Sequence, residues 1–152
     1  MAADTGHVQD LMARLKVRQA KAPSSNTLGF RPLEIDPERR WARGEFQARP
    51  DFCNRLGVVQ GGFLTAMVDE IMAVAAVISE DFQRFVPTLD MNVSFLDSAH
   101  PGVIIGEGRV RRMGRTVAFL EGDLRDQDGR LLIAATATAR VIARDKAISE
   151  HE

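Results

Sequence analysis

Asp69 stands inside a long apolar run, and a glycine pair, Gly61-Gly62, opens that run eight residues earlier. Met67, Val68, Ile71, Met72 and Ala73 surround the acid in sequence. A carboxylate set among such residues is expected to be desolvated, which makes it a better base and costs free energy unless something uses or pairs it. Two uses are open: proton abstraction in a reaction, or a structural role in capping a backbone or pairing with an arginine. Glu70 follows directly but lies roughly 100° further round a helix, so the two acids cannot serve one site. Glycines at a helix start leave amides free at the positive end of the helix, where an anion, or the oxyanion of an acyl transfer, can be held. The alternative is a tight loop-to-helix turn. An acid and a free-amide terminus on one element together favour chemistry.

The elements that must hold these groups follow from periodicity. Val8, Leu11, Met12 and Leu15 recur at helical spacing and predict a short amphipathic helix over 7–20, followed by a turn or linker at 22–27. Residues 29–35 and 40–49 read as two strands joined at Asp36-Pro37-Glu38. The central helix runs from about Gly62 to Glu80, and 81–86 reads as a polar loop. Over 87–96, Leu89, Met91, Val93 and Phe95 alternate with polar residues, the pattern of a half-buried strand. Three more strands, 103–112, 115–125 and 130–142, are separated by Met113-Gly114 and Gln127-Asp128-Gly129. Ala135, Ala137 and Ala139 predict close packing of the last strand against another element or another subunit. The expected fold is α+β, an antiparallel sheet packed on one long helix apolar nearly all round, in a homo-oligomer. Residues 1–27 form an N-terminal helix and linker, 28–142 the domain, and 143–152 a charged, frayed tail.

Composition narrows the partners. The chain has 152 residues, 45% of them apolar, and a net charge of −1, so a polyanion partner is not expected. Cys53 is the single cysteine, which precludes an internal disulfide and a cysteine-based zinc site. Its setting fits a small buried residue better than a nucleophile. His7, His100 and His151 are dispersed without metal-ligand spacing. The N-terminus shows no signal-peptide pattern, and the apolar stretch 71–78 is too short to span a bilayer, so a soluble cytoplasmic protein without membrane partners is expected.

Asn54, Gly57, Gln60-Gly61-Gly62 and Asp69, with the acid nine residues after Gln60, resemble the hotdog-fold thioesterases. The similar group is that of the acyl-CoA thioesterases, including the phenylacetate-pathway and 4-hydroxybenzoyl-CoA enzymes. Residues 87–93 resemble the family's strand after the helix, and 114–119 its penultimate hairpin; the likeness spans about 28–142. The departure is Gln60, where the family usually has His. Glutamine cannot change charge near neutral pH, though its amide still donates a hydrogen bond, which argues against proton transfer there and leaves oxyanion binding open.

The resemblance implies a hydrolase that cleaves an acyl-CoA thioester without metal or redox cofactor. Asp69 would be general base or nucleophile, and the Gly61 amide the oxyanion donor. Asn54 and Gln60 would orient the carbonyl or the water, and Thr88 would hold the water. It further implies a site shared between subunits, with Asp69 and Thr88 from one and Asn54, Gln60 and Gly61 from the other, and a homotetramer built as a dimer of dimers. Gly62, Phe63 and Met67 are expected beside the acyl group. Arg111, Arg112 and Arg115 are candidates for the CoA phosphates, or else form a solvated edge that discourages aggregation. The glutamine also leaves open a non-catalytic acyl-CoA-binding module on the same fold.

Overall fold

The computed structural model describes residues 4–149, with side chains described as far as Lys146; His151 lies outside the described residues. Helix α1, Thr5–Ala20, is capped by Asp4, whose carboxylate accepts from the Gly6 amide at 3.1 Å, and it buries Leu11 and Leu15. The expected linker is in part a short helix, α2, Pro23–Thr27. Pro23 sits in its first turn, where the fixed φ suits a helix and no amide is missed.

Strands β1, Arg31–Asp36, and β2, Trp41–Ala48, form a hairpin and lead to α3, Gly61–Ser79. After it come β3, Arg84–Phe85; β4, Thr88–Phe95; β5, Gly102–Met113; β6, Val117–Arg125; and β7, Leu131–Arg140. A last short strand, β8, Ile142–Ala143, pairs with β3, and α4, Arg144–Ser149, closes the described chain. The polar loop expected over 81–86 is therefore corrected in part, and the tail expected from 143 begins with the end of a strand and a short helix. Phe82 and Val86 are buried and pin the first segment to the core, and the two segments then satisfy each other's backbone.

Six strands make one antiparallel sheet in the order β1-β2-β5-β6-β7-β4. It curls around α3, whose Leu64, Met67, Val68, Ile71, Met72, Val74, Ala75, Ala76 and Ile78 form the centre of the core. This is the helix-in-sheet hotdog architecture. The whole of α3, longer than the apolar stretch 71–78, has the length and composition of a helix that could cross a membrane. Here it is clasped by the sheet instead.

The clasp is unusually close along one row. Ala42 of β2 pairs with Gly108 of β5, Gly108 with Gly122 of β6, and Gly122 with Ala135 of β7. Four strands thus present their smallest side chains under α3 at Ile71 and Met72. A Cβ on Gly108 would stand 2.3 Å from the Ile71 carbonyl oxygen, a backbone atom that cannot rotate away. We expect Gly108→Ala to lower stability by about 1–3 kcal/mol, the usual cost of overpacking a core, measured by urea unfolding. An unchanged midpoint would mean the helix is not seated on this row.

Candidate active site

Asp69 is half-buried within the single chain, on the side of α3 that its own sheet does not enclose. Met67, Val68, Ile71 and Met72 point into the sheet, whereas Gly62, Ala66, Asp69 and Ala73, at helical spacing, form the stripe of α3 that the sheet leaves uncovered. Asp69 makes no ion pair among the described residues. Its Oδ1 accepts a hydrogen bond from the Thr88 hydroxyl at 2.7 Å, which fixes the carboxylate and leaves Oδ2 open. Thr88 begins β4, next to the irregularity in its pairing with β7 between Thr88 and Asp90. Glu70, turned away by its 100°, accepts from the buried Ser25 hydroxyl at 2.6 Å. One acid is therefore tied into the packing of the N-terminal segment, and the other lies on the uncovered stripe.

The start of α3 divides its amides. Gln60 is the N-cap, and its Oε1 accepts from the Gly62 amide at 2.7 Å. The Gly61 amide finds no acceptor among the described residues and remains available at the positive helix end. The carbonyl side of Gln60 is thus committed to the cap, while its Nε2 can still donate outward. Asn54 is likewise half-committed. Its Oδ1 accepts from the Leu56 amide at 2.9 Å, and its backbone bonds Gly57 and Val58, closing a turn in which Gly57 takes a φ of 78°.

Gly61 and Asp69 are brought onto one helix but not onto one substrate atom within the chain. Eight residues at 1.5 Å each put them about 12 Å apart. Beside Gly61 opens a cleft of about 510 Å³ between residues 58–59, the first turn of α3 and residues 95–99. Phe95 lies over the helix start, its ring 2.9 Å from where a Gly61 Cβ would be. Met67, expected beside the substrate, is wholly buried in the core, and Phe63 is stacked on Phe52 at 4.2 Å. Phe95 was readable only as the apolar face of a strand; its contact with Gly61 depends on a fold that joins positions 34 residues apart.

The arginines separate too. Arg111 is ion-paired with Glu121 at 3.2 Å, whereas Arg112 and Arg115 make no ion pair among the described residues. Met113, Ala118, Ala139 and Thr88 lie in line across β5, β6, β7 and β4, so this hairpin sits at the Thr88 end of the sheet. Arg140, exposed and also without an ion pair among the described residues, stands on β7 at the same end, and the sequence pattern gave no reason to single it out.

Comparison with known proteins agrees with this fold. A family model for the thioesterase superfamily matches residues 56–133, just over half of the chain. A solved structure of a phenylacetic acid degradation-related protein from Ralstonia eutropha JMP134 superimposes with a TM-score of 0.77 at 34% identity, covering 86% of this chain and 98% of that one. A provisionally named esterase of Saccharolobus solfataricus is 32% identical over 64% of this chain and 69% of its own. Mouse acyl-coenzyme A thioesterase 13 is 30% identical, over 59% of this chain and 64% of its own. The chain belongs to the thioesterase superfamily. It is a hotdog-fold thioester hydrolase.

Proposed function

We propose that the protein hydrolyses acyl-CoA thioesters at a site completed by a second copy of itself, with Asp69 as the catalytic carboxylate. The observation that carries this reading is Asp69 itself, held by Thr88, free of any cation among the described residues, on the uncovered stripe of the core helix.

A second copy has an obvious seat. The uncovered stripe of α3 runs beside β4, the edge strand, whose Leu89 and Phe95 are 63% and 56% exposed. An open apolar edge next to a stripe of small residues suits antiparallel pairing of β4 with its symmetry mate and close approach of the two helices. Residue 65 lies midway between Gly61 and Asp69. A two-fold axis near it turns one helix against the other so that the partner's Gly61 comes opposite Asp69. The 12 Å that separates the two groups within a chain is thereby removed between chains.

In such a site the thioester oxygen lies on the partner's Gly61 amide, which takes the charge that develops on it. Asp69 removes a proton from a water held by Thr88, the water's oxygen adds to the carbonyl carbon, and the tetrahedral intermediate collapses with loss of the CoA thiolate, which takes that proton from Asp69 and restores the carboxylate. Direct attack by Oδ2 to give a mixed anhydride uses the same geometry. Single turnover in heavy-oxygen water separates the two routes, since only the anhydride leaves the label in Asp69. Arg112, Arg115 and Arg140 provide the unpaired cations for the CoA phosphates at the Thr88 end, with Arg111 tied to Glu121. A dimer suffices for this chemistry; the dimer of dimers implied by the resemblance is a further level of assembly.

The test is thiol release from a panel of acyl-CoAs. Turnover that depends on Asp69 supports the proposal; saturable binding with no release would replace it by the non-catalytic reading.

A further inference from the structure

The cleft beside Gly61 is larger than an oxyanion needs. Resting on the thioesterase reading, we infer that it is the acyl pocket of this protein, that it selects bulky uncharged acyl groups, and that Phe95 is the wall that sets their size. Val58, Val59, Leu64, Phe95, Leu96 and Ala99 make the apolar part of its lining, and Gly61, whose amide has no acceptor among the described residues, lies on its border. A volume of about 510 Å³ lies within the range of small-molecule sites. It exceeds threefold the roughly 150 Å³ that takes benzene in an engineered protein core.

The direction of the substrate follows from the polarity of the two ends. Cations without ion pairs, Arg112, Arg115 and Arg140, lie at the Thr88 end of β4, and the apolar cleft lies at the Phe95 end. A thioester bound across the two-fold axis places CoA at the cationic end of one copy and its acyl group in the cleft of the other. The one charged residue of the lining is an acid, Asp97, already ion-paired with Arg130 at 3.2 Å and accepting from the Ser98 amide. A terminal carboxylate on the acyl group would meet that acid and no free cation, so dicarboxylic acyl groups are excluded. Phe95 faces the cleft from β4, and its ring already touches the Cα side of Gly61, so any change in its bulk changes the space next to the reacting carbonyl.

The experiment measures dissociation constants of non-hydrolysable CoA thioethers, S-methyl, S-octyl, S-benzyl and S-carboxypropyl, by calorimetry. These probes lack the carbonyl and report the pocket independently of catalysis. The wild-type protein should prefer the octyl or benzyl thioether to the methyl one by tenfold or more and should disfavour the carboxypropyl one; which of octyl and benzyl leads tells an aliphatic from an aromatic pocket. Phe95→Trp and Val58→Trp, which fill the cleft from opposite walls, should each lower the bulky-to-methyl ratio by about tenfold, and Phe95→Ala should shift the preference to still larger groups. Val58 is not part of β4, so its variant leaves the pairing edge of that strand unaltered. A wild-type ratio near one, or a ratio unmoved in folded Val58→Trp and Phe95→Trp proteins, overturns the inference. Thiol release from the matching acyl-CoAs is scored separately. Its absence alongside the expected affinity ratios would overturn catalysis and leave the pocket standing.

Discussion

Asp69→Asn cuts thiol release from the best acyl-CoA by about 10²–10⁴-fold, the range a positioned general base contributes. Asparagine keeps the acceptor for the Thr88 hydroxyl and nearly the same shape, so the change removes the negative charge and little else. Because the site is half-buried and the carboxylate has no ion partner to orphan, stability should stay within about 0.5 kcal/mol. Glu70→Gln is the matched control. It retains an acceptor for Ser25 on the other side of the helix and should leave the rate within a factor of two. A folded Asp69→Asn protein with the wild-type rate would end the assignment of Asp69, whatever the family.

Ala66→Arg should abolish activity from a position that is neither acid nor amide. Ala66 is exposed on the uncovered stripe, between Gly62 and Asp69, so a long charged side chain there meets no atom of its own sheet. Against a second α3 it cannot be accommodated without burying a charge. Light scattering should then show a monomer with wild-type circular dichroism, and thiol release should fall by at least 10²–10³-fold, about the loss that follows removal of one oxyanion donor. A fully active monomer would contradict the shared site, and an active dimer would place the interface elsewhere. Diluting the wild-type protein below its dimer constant should reproduce the loss without any substitution.

Much of this was legible in the residues. The 3.6 and 2.0 periodicities identified α3 and the six sheet strands, because one face of each is buried against the other. The separation of Asp69 from Glu70 followed from helix geometry alone, and their different partners, Thr88 and Ser25, agree with it. What sequence could not supply was the direction of α3 relative to the sheet. Met67, Val68, Ile71 and Met72 line the arc that the sheet covers, whereas Asp69 and Ala73 do not. Met67 was misplaced for the same reason. The commitment of Gln60 Oε1 to the Gly62 amide is local, but choosing it over an outward-facing side chain requires the cap geometry itself. The β3–β8 pairing joins Arg84 to Ala143 and Phe85 to Ile142, partners too far apart for any window along the chain to detect.

The row Ala42, Gly108, Gly122 and Ala135 has a consequence for motion. Side chains in an ordinary core can change rotamer and let a helix slide, but backbone resting near backbone offers no such adjustment. The middle turns of α3 should therefore breathe only when the sheet itself opens. Amide hydrogen exchange should find Ile71–Ala75 opening at close to the global unfolding free energy, with α1, β3 and β8 exchanging much sooner. The distance along the helix from Gly61 to Asp69 is then a rigid length, and two copies meeting on a two-fold axis inherit a fixed gap between acid and amide. Substrates would be accommodated by movement of the Phe95 edge and the loop before α3, while the reacting groups hold still.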